Sequence, residues 1–471
     1  MNPTPAVIAD PSFGSLPLAP ATLANLEQLG YRQMTPIQAA SLPPALAGKD
    51  LIAQAKTGSG KTAAFALALL TKLNPRRFAV QALVLCPTRE LADQVSQEIR
   101  RLARGADNIK VLTLCGGSQM RPQISSLEHG AHVVVGTPGR IMDHLQRESL
   151  DLSALDTLVL DEADRMLDMG FYDDIAFVAK ACPKERQTLL FSATYPEGIA
   201  SLSRAFLRDP LQITLTEQHE AGKIRQRFYE VVPEQRLAAV GMLLRHYRPV
   251  STLAFCNTRQ QCRDLLHVLR AEGFVAQALH GEMEQRERDQ VLIQFANRSC
   301  SVLVATDVAA RGLDIDQLEA VINVDVTPDS EVHVHRIGRT GRVDQEGWAF
   351  SLVSGNQMAR VRNIVTTVGQ EVEWHALGEL QEASTARLLP PMVTLLILGG
   401  RKEKIRPGDV LGALTGEAGF AKEQIGKIKV TESATYVAVV RNIAQDVVRK
   451  LSAGTVKGKK VKVHLLSDRG G

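Results

Sequence analysis

The 471-residue sequence predicts two tandem α/β domains, each on a parallel sheet, followed by a small α+β domain. Three observations carry that fold class. Short β-branched apolar runs alternate with helical stretches, each run closes in a polar or glycine-bearing cluster, and the rhythm changes after Pro390-Pro391. Continuous apolar runs between helices mark strands buried on both faces. In open parallel sheets, ligands gather at the C-terminal ends of those strands.

The runs of the first domain are Asp50–Gln54, Ala82–Cys86, His132–Gly136, Thr157–Leu160 and Thr188–Phe191. Those of the second are Thr252–Cys256, Ser301–Ala305, Ala320–Asn323 and Trp348–Val353. They close in AQAKTGSGKT, PTRE, GTPGR, DEAD and SAT, then in CNT and ATD, which reads as two facing sites. The first domain spans 13–210 and the second 225–372. Between them, 211–224 is a polar linker without strand–helix rhythm. Residues 1–12 are expected to be flexible, and 373–391 to form a polar, mainly helical connector ending in two prolines. The tail, 392–467, reads strand Val393–Leu398, helix Pro407–Thr415, strands Ile425–Val430 and Tyr436–Val440, helix Ile443–Leu451 and strand Val461–Leu465. That βαββαβ order is the topology of an RNA-recognition motif. No internal sequence repeat is visible.

Hydrophobic residues at 45% and charged residues at 23% exclude a mainly disordered or fibrous chain. The net charge of +4 hides a segregation: from Met392 onward there are 15 Lys+Arg against 7 Asp+Glu, leaving 40 against 44 in the body. A basic tail on a mildly acidic body points to a polyanionic partner, most simply nucleic acid. Aromatics at 4% limit any grip by stacked rings. Six scattered cysteines without a CxxC pair read as reduced thiols of a cytosolic protein. Met1–Pro11 has three prolines and no Lys or Arg, unlike a secretory signal. No run approaches the ~18 apolar residues of a membrane span. The expectation is a soluble, cytoplasmic protein.

Ala55-Lys56-Thr57-Gly58-Ser59-Gly60-Lys61-Thr62 follows a strand and opens a helix. Glycines let backbone N–H groups close around phosphate oxygens, and the helix N-terminus adds its dipole. Lys61 would reach the terminal phosphates and the Thr62 hydroxyl would bind Mg²⁺. Ala55 stands where the strict pattern has glycine; a simple glycine-rich turn is the bland alternative. About 100 residues later, Asp161 closes a strand, where it can hold Mg²⁺, and Glu162 can orient and deprotonate a water. Acidic residues are also favoured at helix starts for their own sake.

Taken in order, these segments resemble the DEAD-box ATP-dependent RNA helicases from Phe13 to Val353. The matching stretches are Gly30-Tyr31 through Thr35-Pro36-Ile37-Gln38, AQAKTGSGKT, PTRELA, Gly116-Gly117, TPGR, DEAD, SAT, Phe255–Thr258, Gln285 with Arg288, ATDVAARGLDI and HRIGRTGR. The resemblance implies two RecA-like domains that bind ATP and Mg²⁺ and close on each other. It implies that Gln38 reads adenine, Tyr31 packs on the base and Phe13 supports it. An amide offers both the donor and the acceptor that adenine needs. Met34 departs from the proline common in the family before Thr-Pro-Ile-Gln. Asp314 would bind the ribose, Arg339 and Arg342 would act as arginine fingers, and His335 would couple to the catalytic segment. Forked guanidinium donors suit a transferring phosphoryl group. Ser192, Ala193 and Thr194 would couple hydrolysis to strand separation.

The same resemblance lays RNA backbone along Pro87, Thr88, Arg89, Gly116, Gly117, Thr137, Pro138, Gly139 and Arg140. From the second domain it adds Thr258, Gln285, Arg288 and Thr306. Helix starts and small hydroxyls suit phosphate and 2′-OH contacts, which carry no base information. In the tail only Tyr436 offers a ring on the two central strands, so Lys402, Lys404, Lys427 and Lys429 would carry phosphate contacts beside it. A helicase core with this short tail is similar to the bacterial DbpA type. That implies targeting to a 23S rRNA hairpin near the peptidyl-transferase region, in large-subunit assembly. The oligomeric state stays open, with a monomer favoured because the basic tail resembles neither a coiled coil nor a hydrophobic dimer face. Two alternatives stay open: a general helicase with a non-specific basic tether in RNA decay or cold adaptation, and a non-enzymatic nucleotide-gated RNA clamp.

Overall fold

The computed structural model describes residues 11–55, 58–106, 108–195, 197–215, 224–310, 318–341, 346–368, 371–384 and 386–466. They form three sheets in two compact units. The first unit holds strands β1 (Leu51–Gln54), β2 (Ala82–Leu85), β3 (Val111–Leu114), β4 (Val133–Gly136), β5 (Thr157–Asp161), β6 (Gln187–Ser192) and β7 (Leu211–Thr214). All pair in parallel, in the order β3-β4-β2-β5-β6-β1-β7. Helices cover both faces and bury two apolar clusters, one around Phe65, Phe191 and Val84, the other around Leu83, Leu158 and Ile175.

The second unit begins with β8 (Ile224–Glu230), β9 (Thr252–Cys256), β10 (Ala276–Leu279), β11 (Val302–Thr306), β12 (Ala320–Asn323), β13 (Gly347–Val353) and β14 (Trp374–His375). Their order, β10-β11-β9-β12-β13-β8-β14, repeats that of the first sheet strand for strand, again all parallel. The fold is therefore duplicated where the sequence shows no repeat. Parallel strands need only apolar side chains on both faces and a crossover helix, a demand that many sequences meet.

Three stretches differ from the expected division. Leu211–Thr214, assigned to a linker, is edge strand β7, with Ile213 buried against β1. Its alternation of polar and apolar residues is that of a half-exposed strand, which hides among linker residues. Pro11 and Ser12 are anchored rather than loose: Pro11 O accepts from Met34 N at 2.7 Å, and the Ser12 hydroxyl accepts from Gly14 N. A proline at position 34 could not make that first bond, so Met34 holds the N-terminal segment in place.

The connector is not helical. It contributes β14 to the second sheet, makes one short turn at Leu377–Glu379 and otherwise runs extended. Gln381 N donates to His246 Nδ1, Ala383 N to Arg245 O, and Arg248 to the carbonyls of Ser384 and Ala386. Leu377, Leu380 and Leu388 pack on the sheet's apolar cluster, so tertiary contacts override the helical tendency of this polar stretch.

The tail folds as β15 (Met392–Leu398), β16 (Ile425–Val430), β17 (Ala434–Val440) and β18 (Lys462–Leu465), antiparallel in the order β16-β17-β15-β18. Helices Pro407–Gly412 and Ala444–Ala453 cover one face, completing βαββαβ. Leu395, Ile397, Val437 and Val439 point into that core. On the other face Thr394 is fully buried: its hydroxyl accepts from Asn297 Nδ2 at 3.0 Å and bonds Ser299 Oγ. Met392 N donates to Arg298 O beside it. The tail domain is thereby seated on the second α/β domain.

Candidate nucleotide site and RNA-facing edges

The phosphate loop grows from β1. Ala55 N donates to Ser192 O, and the chain then turns through Gly58 and Gly60, whose φ values are +81° and +95°. That region favours glycine. Gly60 caps helix Lys61–Lys72, whose first amides open onto the loop as an anion site. Lys61 is buried and donates to Ala55 O at 2.5 Å, folded back across the loop, with Thr62 beside it. Lys56 and Thr57 lie outside the described residues.

Gln38 is tied to this loop. Its Nε2 donates to Gly60 O at 3.1 Å, its Oε1 accepts from Thr35 N, and the Thr35 hydroxyl donates to Ser59 O. A carboxamide has two N–H groups and two acceptor lone pairs, so one of each remains for a ligand. Phe13 meets Tyr31 edge-on at 6.2 Å, and the Tyr31 hydroxyl donates to Glu98. Burial, then the Glu98 carboxylate, pushes the Tyr31 hydroxyl well above its ordinary pKa.

Asp161 is the last residue of β5, fully enclosed beside Glu162, and its carboxyl is pushed up to about 7 by burial and then by the Glu162 charge, against the pull of Lys61. Glu162 is paired with Arg165, whereas Asp161 has no ion-pair partner at hydrogen-bond distance among the described residues, and a buried carboxylate so placed suits a nearby cation. The hard oxygens of Asp161 and Thr62 fit Mg²⁺, which takes one or two protein oxygens and completes its shell from phosphates and water. No cluster of three or more His, Cys, Asp or Glu side chains suited to a metal exists among the described residues. Bound there with ATP, the ion would supply charge neutralisation at the phosphates.

Asp164, which carried no role in the sequence reading, is the residue that joins DEAD to SAT. Its Oδ2 accepts from Ala193 N, Thr194 N and Thr194 Oγ1 at 3.1, 2.9 and 3.0 Å, and its own N–H donates to Ser192 Oγ. The letters of the motif were visible, but nothing in their spacing says which carboxylate turns toward β6.

Along the strand ends of the first unit, Pro87 precedes Thr88, which caps helix Arg89–Leu102 by accepting from Leu91 N. Gly117 has φ +71°, and a Cβ there would collide with the Arg89 guanidinium, so the Gly116-Gly117 turn exists to pass Arg89. Thr137, Pro138 and Gly139 start the helix Pro138–Gln146. Arg140 faces inward: it donates to Ser118 O and Gln123 Oε1 at 3.0–3.2 Å and braces the glycine turn.

In the second unit Thr258 caps helix Arg259–Ala271, accepting from Gln261 N, Thr306 ends β11, and Gln285 opens helix Gln285–Ala296. Arg288 donates to Ala309 O at 2.7 Å. His335 sits in helix Ser330–Ile337 and Arg339 just after it, buried. Asp314 and Arg342 lie outside the described residues. Arg336, unassigned in the sequence reading, is the hub here. It makes a forked pair with Asp307 at 2.7 Å, donates to Asn257, Asn323 and Asp325 O, and stacks over Phe255. Three motif segments thus meet on one buried guanidinium.

The tail offers a basic hollow instead of rings. Tyr436, between Leu396 and Lys429 on its sheet, is only 6% exposed, too enclosed to stack a base. On the edge, Arg401, Lys404, Arg406 and Lys457 surround an apolar floor of Ile405, Pro407 and Val430 in a cavity of about 430 Å³. Lys402 is exposed beside Glu432, and Lys427 and Lys429 project from β16.

Comparison with known proteins decides the family. Residues 35–202 match the DEAD/DEAH box helicase family, 235–344 the helicase conserved C-terminal domain and 394–465 the DbpA RNA binding domain. The chain is 51% identical over 449 residues to the ATP-dependent RNA helicase DbpA of Escherichia coli, covering 95% of this chain and 98% of that one. The chain belongs to the DEAD-box RNA helicases, of the DbpA type.

This helicase is also 42% identical over 362 residues to the ATP-dependent RNA helicase CshA of Listeria monocytogenes, covering 77% of this chain and 69% of that one. S. cerevisiae Dbp5 bound to RNA and ADP BeF3 superposes with a TM-score of 0.71 at 30% identity, covering 78% of the helicase and 96% of that chain. The chain is therefore an ATP-dependent RNA helicase and RNA-stimulated ATPase. Among its described residues no helix is long and apolar enough to cross a membrane.

Proposed function

We propose that this helicase locally unwinds RNA in the large ribosomal subunit precursor, brought there by its tail domain gripping a hairpin of 23S rRNA. Lys61 holds the ATP phosphates, Asp161 and Thr62 take Mg²⁺, and Glu162 draws a proton from the attacking water. Arg339 and Arg342 complete the site from the second domain when ATP closes the two domains. Closure bends one RNA strand on the backbone contacts of Thr88, Thr137, Thr258 and Thr306, and phosphate release reopens it. The work is cytoplasmic and done by a monomer.

The observation that carries the targeting is the tail's basic hollow, where four cations ring a small apolar floor. Such a site pairs phosphates with an unstacked nucleotide of a loop, the part of RNA in which sequence is legible. ATPase is measured with the 23S hairpin fragment and with an unrelated RNA of equal length. Strong stimulation by the hairpin alone supports the proposal. Equal stimulation would mean a general tether, and none with either RNA would mean a nucleotide-gated clamp.

A further inference from the structure

We propose that Arg165 is a latch on the catalytic base: its guanidinium holds the Glu162 carboxylate in the RNA-free state, and RNA engagement releases it through Asp164. This rests on Glu162 being the base, as proposed above.

Glu162 precedes helix Ala163–Asp168 with a left-handed backbone, φ +52°, which fixes the direction in which its side chain leaves the chain. Three residues on, Arg165 NH1 donates to Glu162 Oε2 at 2.8 Å, and both side chains are nearly buried. A charge-assisted bond in such an enclosed place is strong. It pins the torsions that would let the carboxylate swing toward a water. A base so held is present but idle.

The neighbouring residue supplies the release. Asp164 is fastened to Ala193 and Thr194 by three accepted hydrogen bonds and to Ser192 by its own amide. Asp164 and Arg165 occupy one helical turn, and the Arg165 N–H donates to Asp164 Oδ1 at 3.0 Å. A shift of the Ser192–Thr194 segment therefore pulls on Asp164 and turns Arg165 with it. The same segment holds the phosphate loop through the bond from Ala55 N to Ser192 O. Coupling residues, latch and nucleotide loop form one connected device, and its product is ATP turnover that waits for RNA.

The test uses the full-length protein carrying Arg165→Gln or Arg165→Lys, with kcat and KM for ATP measured without RNA and with saturating bulk ribosomal RNA. Arg165→Gln is expected to raise the RNA-free kcat about tenfold, the equivalent of ~1.4 kcal/mol off the barrier. KM and the RNA-saturated kcat change little, so RNA stimulation collapses. Arg165→Lys keeps the charge with a shorter fork and restores most of the RNA dependence; it also carries the test if the glutamine variant does not bind ATP. A parallel fall of kcat with and without RNA, or an unchanged RNA-free kcat in both variants, would overturn the latch. Glu162→Gln is run alongside: turnover surviving in it would remove the base assignment, whereas a dead Glu162→Gln beside silent Arg165 variants removes the latch alone.

Discussion

Thr394→Val is the sharpest probe of how the address domain is carried. Valine keeps the shape and strand preference of threonine but deletes the hydroxyl that accepts from Asn297 and bonds Ser299. Ser299 keeps its donation to Gln294 O, so one buried donor, Asn297 Nδ2, is left without a partner. That costs roughly 1–3 kcal/mol, equivalent to about a 5–150-fold shift in the docking equilibrium. The core of the tail domain is untouched, so hairpin affinity should hold. What should change is order at the seam: faster amide exchange at Met392, whose N–H donates to Arg298 O, and quicker proteolysis between 386 and 391. Hairpin-stimulated ATPase should fall while stimulation by a long unstructured RNA survives. A double-mutant cycle with Asn297→Ala supplies the control, since the second change should cost little once the first is made. Unaltered exchange at Met392 in both single variants would refute the reasoning, because a seam insensitive to the Thr394 hydroxyl and its Asn297 partner would be held by something else.

Three further outcomes follow from the geometry. Gly60→Ala puts a Cβ 2.5 Å from Gln38 Nε2 on a backbone of φ +95°; with left-handed strain of ~1–2 kcal/mol, ATP affinity should drop at least tenfold by nucleotide titration. Burial alone would raise the Asp164 carboxyl, but the Thr194 amide, the Lys61 charge and the Thr194 and Ser192 hydroxyls hold it below the ordinary range. Its folded pKa is depressed, so its stabilisation is full above the unfolded value near ~3.9 and disappears as pH falls through the folded value. Asp164→Asn should therefore flatten the acid limb of a stability profile measured by denaturant melts. Lys457→Glu, in the basic hollow, should weaken hairpin binding and shallow its salt dependence by about one counterion, leaving RNA-independent ATPase unchanged; an unaltered salt slope would remove that residue from the RNA contact.

Most of the architecture was legible because parallel sheets write themselves in continuous apolar runs. Strands such as Ala82–Leu85 and Val133–Gly136 are buried along their whole length. The strands that escaped notice carry weaker patterns: β3 with Leu112 and Thr113 half-exposed, β7 and the two-residue β14 at sheet edges, β8 with its arginines and glutamine, and β10, whose Ala-Gln-Ala-Leu reads equally well as helix. The connector was misjudged for the same reason. Its conformation is set by His246, Arg245 and Arg248, more than a hundred residues earlier in sequence, and no local pattern encodes such partners. In the tail, the scarcity of rings was visible in composition, but the burial of Thr394 was not, because it depends on Asn297 and Ser299.

The site shows a different limit, and the arginines expose it. Motif spelling marks an arginine as constrained without saying by what. Arg140, expected on RNA, is also a brace of the turn at Ser118. Arg336, unassigned, ties Asn257, Asp307 and Asn323 together. Arg165 spends its charge on Glu162. An arginine in such a motif can serve in two physical ways: by meeting a ligand, or by holding carboxylates and carbonyls so that a ligand site can exist. Charge-assisted bonds such as the forked pair of Arg336 with Asp307 keep the loops they join rigid. That explains how a body of net negative charge can serve RNA. Some of its cations are spent on its own acidic groups, as Arg165 is on Glu162 and Arg336 on Asp307, while the excess positive charge lies in the tail, where Arg401, Lys404, Arg406 and Lys457 line one hollow.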